Sequence, residues 1–63
     1  MGQNSFRFDT LRVLIVNDDE FNRITVERSL RSLNIKSISA ALNGFEAFEI
    51  IKKNQYDLVL CDL

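Results

Sequence analysis

The chain has no histidine, no proline and no tryptophan, one cysteine (Cys61) and two glycines (Gly2 and Gly44). Each shortage closes off a kind of chemistry. A lone thiol forms no internal disulfide, and without histidine a Cys/His zinc site cannot be completed. An unpaired cysteine inside an apolar run reads as a small core residue in a reducing compartment. Two isolated glycines supply neither the G-x-G-x-x-G turn of dinucleotide-binding folds nor the G-x-x-x-x-G-K-[ST] loop that cradles nucleotide phosphates. No apolar run is long enough to cross a bilayer, and no signal-peptide core is visible. Eight basic residues against nine acidic ones give a net charge of -1, which leaves no basic footprint for nucleic acid. The expectation is a cytoplasmic α/β protein without nucleic-acid or membrane partners. At 63 residues it is one small domain at most, and chains of this size hide only about 60% of their unfolded surface.

What is present alternates between two periods. Residues 1–10 are polar and unpatterned and read as a leader or linker. Leu11 to Val16 is β-branched and almost continuously apolar, as in a strand covered on both faces. It stops at Asn17-Asp18-Asp19-Glu20, turn and capping residues that also place negative charge where a helix N-terminus favours it. The spacing of Asn22, Val26, Ser29/Leu30 and Leu33 predicts a helix with one inward face. Glu20, Arg23, Glu27 and Arg31 fall opposite, Glu27 and Arg31 at the i,i+4 distance of an ion pair. Phe21 and Ile24 lie off the inward stripe, and Asn34 is a stop signal. Ile35 to Ala41 is a strand diluted by serines, which suits a sheet edge. Asn43 with Glu46 resembles a capping box. A second helix over 45–54 groups Ala47, Phe48, Ile50 and Ile51 on one side. Tyr56 to Cys61 is a second strongly apolar strand, running into Asp62 and Leu63.

Strand and helix alternating through short connections imply parallel strands with crossover helices. Two strong strands around a weak one suggest the spatial order 2-1-3, and right-handed crossovers then put the helices on opposite faces. The fold class is therefore α/β. In that order the first and third strands are neighbours. Asp18 and Asp19 after one, and Asp62 after the other, then meet at the carboxyl edge, the switch point where open α/β sheets bind ligands. Converging carboxylates repel unless a cation lies among them. A few hard oxygen ligands with room for water and phosphate suit Mg²⁺, and a carboxylate beside such an ion can accept a phosphoryl group. The competing explanation is that strand ends and helix starts are rich in Asp for capping alone.

The segments V-L-I-V-N-D-D-E-F-N-R, A-L-N-G-F-E-A-F-E-I-I and Y-D-L-V-L-C-D-L resemble, in order and spacing, the N-terminal half of a response-regulator receiver domain, particularly those of hybrid histidine kinases. The likeness covers residues 11–63. It implies the βαβαβ half of a flavodoxin-like doubly wound parallel sheet, truncated, with Asp62 as phosphoacceptor and Mg²⁺ as cofactor. It also implies a histidine kinase or phosphotransfer protein as partner. In the family an acidic pair follows the first strand. Counting back from Asn22-Arg23 aligns that pair with Asn17 and Asp18. Asn17 then stands where the first acid is expected, Asp18 is the direct metal ligand, and Asp19 takes the following position. Losing one negative charge should weaken metal binding. Aligning the pair as Asp18-Asp19 restores both acids but shifts the helix register, so the first alignment is favoured.

The family's later elements, among them a Ser/Thr and a Lys that contact the phosphoryl group, have no counterpart in the sequence. The run 56–61 is then expected to be an open edge through which copies of the chain could associate, and phosphate transfer to be impaired. Two other readings compete. One is a phosphate-silent docking or dimerisation module, favoured by Asn17. The other is half of an aspartate-dependent phosphohydrolase or nucleotide-binding enzyme, which the glycine count and the Asn17-Asp18-Asp19 run disfavour. A non-enzymatic phosphotransfer module is the leading expectation.

Overall fold

A computed structural model describes residues 8–62. The expected leader thus lies outside the described residues over positions 1–7, and Leu63 lies outside them as well. A 3-10 turn, Phe8–Thr10, leads into β1 (Arg12–Val16), α1 (Glu20–Ser32), β2 (Ser37–Ala41), α2 (Gly44–Lys53) and β3 (Leu58–Cys61). The three strands form one parallel sheet in the order β2-β1-β3, the expected topology.

β1 lies between β2 and β3, and its apolar side chains are covered on both faces. Val13 and Leu14 are fully buried, and Ile15 and Val16 nearly so. Alternation along the strand splits the core in two. Val13 and Ile15 pack with Leu30 and Ile35, flanked by Val26 and Leu60. Leu14 and Val16 pack with Ala41 and Ala47, flanked by Ile50 and Tyr56. The helices therefore cover opposite faces, α1 one and α2 the other. Burying a side chain of this size stabilises by about 1.5–3 kcal/mol, so β1 anchors most of what the sheet gains.

Both helices are capped by their own sequence. The Asp19 carboxylate accepts from the N–H groups of Phe21 and Asn22 at the start of α1. Asn43 Oδ1 accepts from the Glu46 N–H at 2.8 Å, half of the expected capping box. The other half is displaced by one residue, since Glu46 accepts from the Leu42 N–H at 2.7 Å. At the far end of α1, Asn34 takes a φ of 71°. The N–H groups of Asn34 and Ile35 return to the carbonyls of Arg31 and Leu30, a Schellman closure. The Glu27–Arg31 ion pair forms at 2.9 Å.

Three expectations are corrected. β3 begins at Leu58 rather than Tyr56: Tyr56 packs toward the α2 face, and Asp57 spends both its N–H and its carboxylate on Arg12. Cys61 is exposed, not a core residue, because β3 has β1 as its only strand neighbour among the described residues. On α2 the inward stripe narrows to Ala47 and Ile50, leaving Phe48 and Ile51 exposed. Lys52 Nζ instead lies 5.1 Å from the Phe48 ring centroid, a cation–π distance. Phe21, off the inward stripe in the sequence, is 76% exposed.

Candidate functional site

The ladder continues one residue beyond β1 and β3. The Asn17 N–H donates to the Ala41 carbonyl at 3.0 Å and the Asp62 N–H to the Val16 carbonyl at 3.1 Å. This extension carries residues 17 and 62 together to the carboxyl edge of the sheet. Their side chains meet there: Asn17 Nδ2 donates to Asp62 Oδ2 at 3.3 Å. A cleft of about 420 Å³ opens beside them, lined by Asn17, Asp18, Leu42, Asn43, Gly44 and Asp62 among others. On the α1 side a second hollow of about 300 Å³ reaches the same Asp62 past Ile15, Val26 and Leu60.

The sequence-predicted residues take different places. Asp18 and Asp62 are exposed on the wall of one cleft, and no hydrogen bond or ion pair joins Asp18 to another described residue. Asn17 is buried, with 7% of its surface exposed. Asp19 does not line this cleft. Its Oδ1 caps the helix through the N–H groups of Phe21 and Asn22, and its Oδ2 accepts from the Asn22 side-chain Nδ2 at 3.3 Å, so both oxygens are engaged at the start of α1. Among the described residues no three acidic, histidine or cysteine side chains gather as a metal cluster.

The donor set fits a small hard cation only sparsely. Asp18 and Asp62 offer carboxylate oxygens at the cleft. Asn17 adds no carboxylate, only a neutral amide oxygen that already accepts from the Asp19 N–H at 2.9 Å. Two carboxylates completed by water remain within the habits of Mg²⁺, which keeps several waters when bound.

Arg23 was expected on the solvent side of α1. It is instead half-buried, and its guanidinium Nη1 donates to the Asn17 carbonyl at 2.9 Å. Helical periodicity carries no signal of this, because the acceptor is a main-chain carbonyl brought within reach by the packing of α1 on the sheet.

A parallel α/β sheet with helices on both faces is a doubly wound arrangement, and its cleft lies at the carboxyl ends of two adjacent strands, where open α/β sheets bind ligands. The family follows from comparison with known proteins. The model of the response regulator receiver domain matches residues 13–63, and the chain belongs to that family. Hybrid signal transduction histidine kinase F of Dictyostelium discoideum is 42% identical over 52 residues, 82% of this chain and 5% of that protein. Autoinducer 1 sensor kinase/phosphatase LuxN of Vibrio harveyi is 43% identical over 51 residues, 81% of this chain and 6% of that protein. Aerobic respiration control sensor protein ArcB of Escherichia coli K12 is 42% identical over 53 residues, 84% of this chain and 7% of that protein. The chain thus spans only a small part of the length of these relatives. No solved structure matches it. Receiver domains of two-component phosphorelays are signalling modules that work with histidine kinases or phosphotransfer proteins. Among the described residues no helix is long and apolar enough to cross a membrane.

Proposed function

We propose that this chain is the phosphate-accepting module of a cytoplasmic two-component phosphorelay, with Asp62 as the acceptor. The observation that carries the reading is the position of Asp62 at the end of β3, beside β1, on a cleft that Asp18 shares. The donor is the phosphohistidine of a histidine kinase or phosphotransfer protein. An Asp62 carboxylate oxygen attacks phosphorus, the P–N bond breaks, and the imidazole leaves and picks up a proton from solvent. The product is an aspartyl phosphate. With no histidine in its sequence, the chain has no phosphohistidine of its own to serve as the donor, and it acts as a stoichiometric carrier rather than an enzyme.

Asp18 and Asp62 are the residues that would hold Mg²⁺, whose bound charge offsets that of the transferring phosphoryl oxygens. With Asn17 neutral, the site has one anion fewer than an acidic pair plus acceptor, so its metal affinity and phosphorylation rate are low. Acetyl phosphate with Mg²⁺, followed by intact-mass measurement, is the test. The native chain should gain the mass of one phosphoryl group and Asp62→Asn should gain none. An adduct that survives the substitution removes Asp62 from the role.

A second reading, a phosphate-silent docking or dimerisation module, is favoured by two observations. The Asn17 amide occupies Asp62, and the β3 edge leaves Leu58 and Val59 40% and 43% exposed. Such a module gives no saturable response to Mg²⁺, and its copies associate through β3 as concentration rises in size-exclusion chromatography.

A further inference from the structure

Every polar group of Asn17 has a partner, and the partners come from all sides of the site. Its N–H goes to the carbonyl of Ala41, the last residue of β2. Its carbonyl takes Arg23 Nη1 from α1. Its Oδ1 takes the Asp19 N–H from the loop at 2.9 Å, and its Nδ2 donates to Asp62 Oδ2 at 3.3 Å. The carboxamide therefore has one sensible orientation. Turned over, it would set Oδ1 against a carboxylate and its NH₂ group against a backbone N–H, losing two hydrogen bonds and creating two like-pole contacts.

We infer that Asn17 is a positioning residue that holds the Asp62 carboxylate in place without a cation. This rests on Asp62 being the phosphoacceptor, but it concerns the metal-free state. An aspartate at position 17 could keep the bond from the Asp19 N–H, yet its second oxygen would stand where Nδ2 now is. A hydrogen bond to Asp62 would become a contact between two anions, one of them on a buried residue where screening is weak. Acidic neighbours make such a site depend on a divalent ion for its integrity. The amide removes that dependence, because the acceptor is tied by a donor whose own orientation is locked from behind by the loop. The native chain therefore keeps its acceptor aligned at low Mg²⁺ and responds only weakly when Mg²⁺ is added. Affinity for the ion is given up in exchange for order without it.

The experiment follows thermal unfolding of the native chain, Asn17→Asp and Asn17→Ala, first in EDTA and then across a Mg²⁺ series. In EDTA both variants should melt several degrees below the native chain, as a small domain does for a loss of this kind. Mg²⁺ should restore Asn17→Asp, with a midpoint on the order of tenfold lower than that of the native chain, because the added charge joins the ligand set. It should not restore Asn17→Ala, which lacks both the donor and the charge. An Asn17→Asp variant as stable as the native chain in EDTA, or equal rescue of both variants, overturns the inference. Should either variant fail to fold, nuclear magnetic resonance of the native chain decides. The Asn17 side-chain NH₂ resonances should move upfield in Asp62→Ala, and unmoved resonances overturn the inference. Failure of the phosphoacceptor reading looks different: no phosphoryl adduct on Asp62 of the native chain, with the metal-free order of stabilities intact.

Discussion

Arg12 and Asp57 close the end of the β1–β3 pair opposite the acidic cleft. The Arg12 N–H donates to Asp57 Oδ2 at 2.8 Å, the Asp57 N–H returns to the Arg12 carbonyl at 2.8 Å, and the guanidinium reaches the same carboxylate at 3.3 Å. Backbone and side chain thus fix one register between residues 45 apart in sequence. That register determines which residue of β3 stands beside Asn17. A slip of one residue would turn Asp62 to the other face of the sheet.

The first prediction concerns acid. The Asp57 carboxyl is held below its ordinary value of 3.8, first by the backbone hydrogen bond from Arg12 and then by the guanidinium hydrogen bond. A carboxyl depressed on folding contributes stability that is present above the unfolded value and lost as pH falls through the folded one. Melting temperature should therefore fall on acidification below about pH 4, and Asp57→Asn, which cannot titrate, should show less of that fall. The contact is solvent-exposed and should weaken with added salt. Identical acid profiles for the two proteins would show that the clamp contributes nothing to folding.

The second prediction separates the two roles offered to Asp19. The sequence allowed it to be a metal ligand or a cap, and its carboxylate accepts from Phe21 N, Asn22 N and Asn22 Nδ2. Asp19→Ala should cost about 1 kcal/mol of stability, the usual loss for an N-cap, and leave the midpoint of the Mg²⁺ response unchanged. Asp19→Ser, which can still cap, should recover most of the loss. A shifted midpoint with stability retained would return Asp19 to the metal.

Which of these features were legible in the sequence follows from how local their causes are. The run Val13–Val16 could only be a strand covered on both faces, and the serines of β2 could only lie outside it. From those two facts the order 2-1-3 and the placing of positions 18 and 62 at one edge both follow, whereas Asp19, expected there with them, caps α1 instead. The caps at Asp19, Asn34 and Asn43 and the Glu27–Arg31 pair were legible because their partners lie within a few residues. The orientation of the Asn17 amide was not, since it depends on a bond from the Asp19 N–H and an acceptor 45 residues away. The Arg12–Asp57 clamp and the turn of Arg23 toward the Asn17 carbonyl are likewise products of packing. Periodicity also overestimated the inward face of α2. It cannot tell that a helix packed through Ala47 sits close to the sheet, leaving Phe48 and Ile51 at the margin.

The third prediction tests the end of α1. Asn34 sits at a φ of 71°, where a side chain other than Asn or Asp is strained by its own Cβ and glycine is not. Its geometry allows Leu30 and Ile35 to close on the same core cluster as Val13 and Ile15. Asn34→Ala should therefore destabilise by about 1 kcal/mol, and Asn34→Gly should match or exceed the native chain, because the left-handed conformation costs a β-carbon-bearing residue roughly that much. Chemical denaturation of the three proteins measures it, with equal m-values expected because the surface exposed on unfolding is the same. Equal stability of the alanine and glycine variants would mean that the Schellman closure is not what ends the helix, and that the burial of Ile35 alone turns the chain into β2.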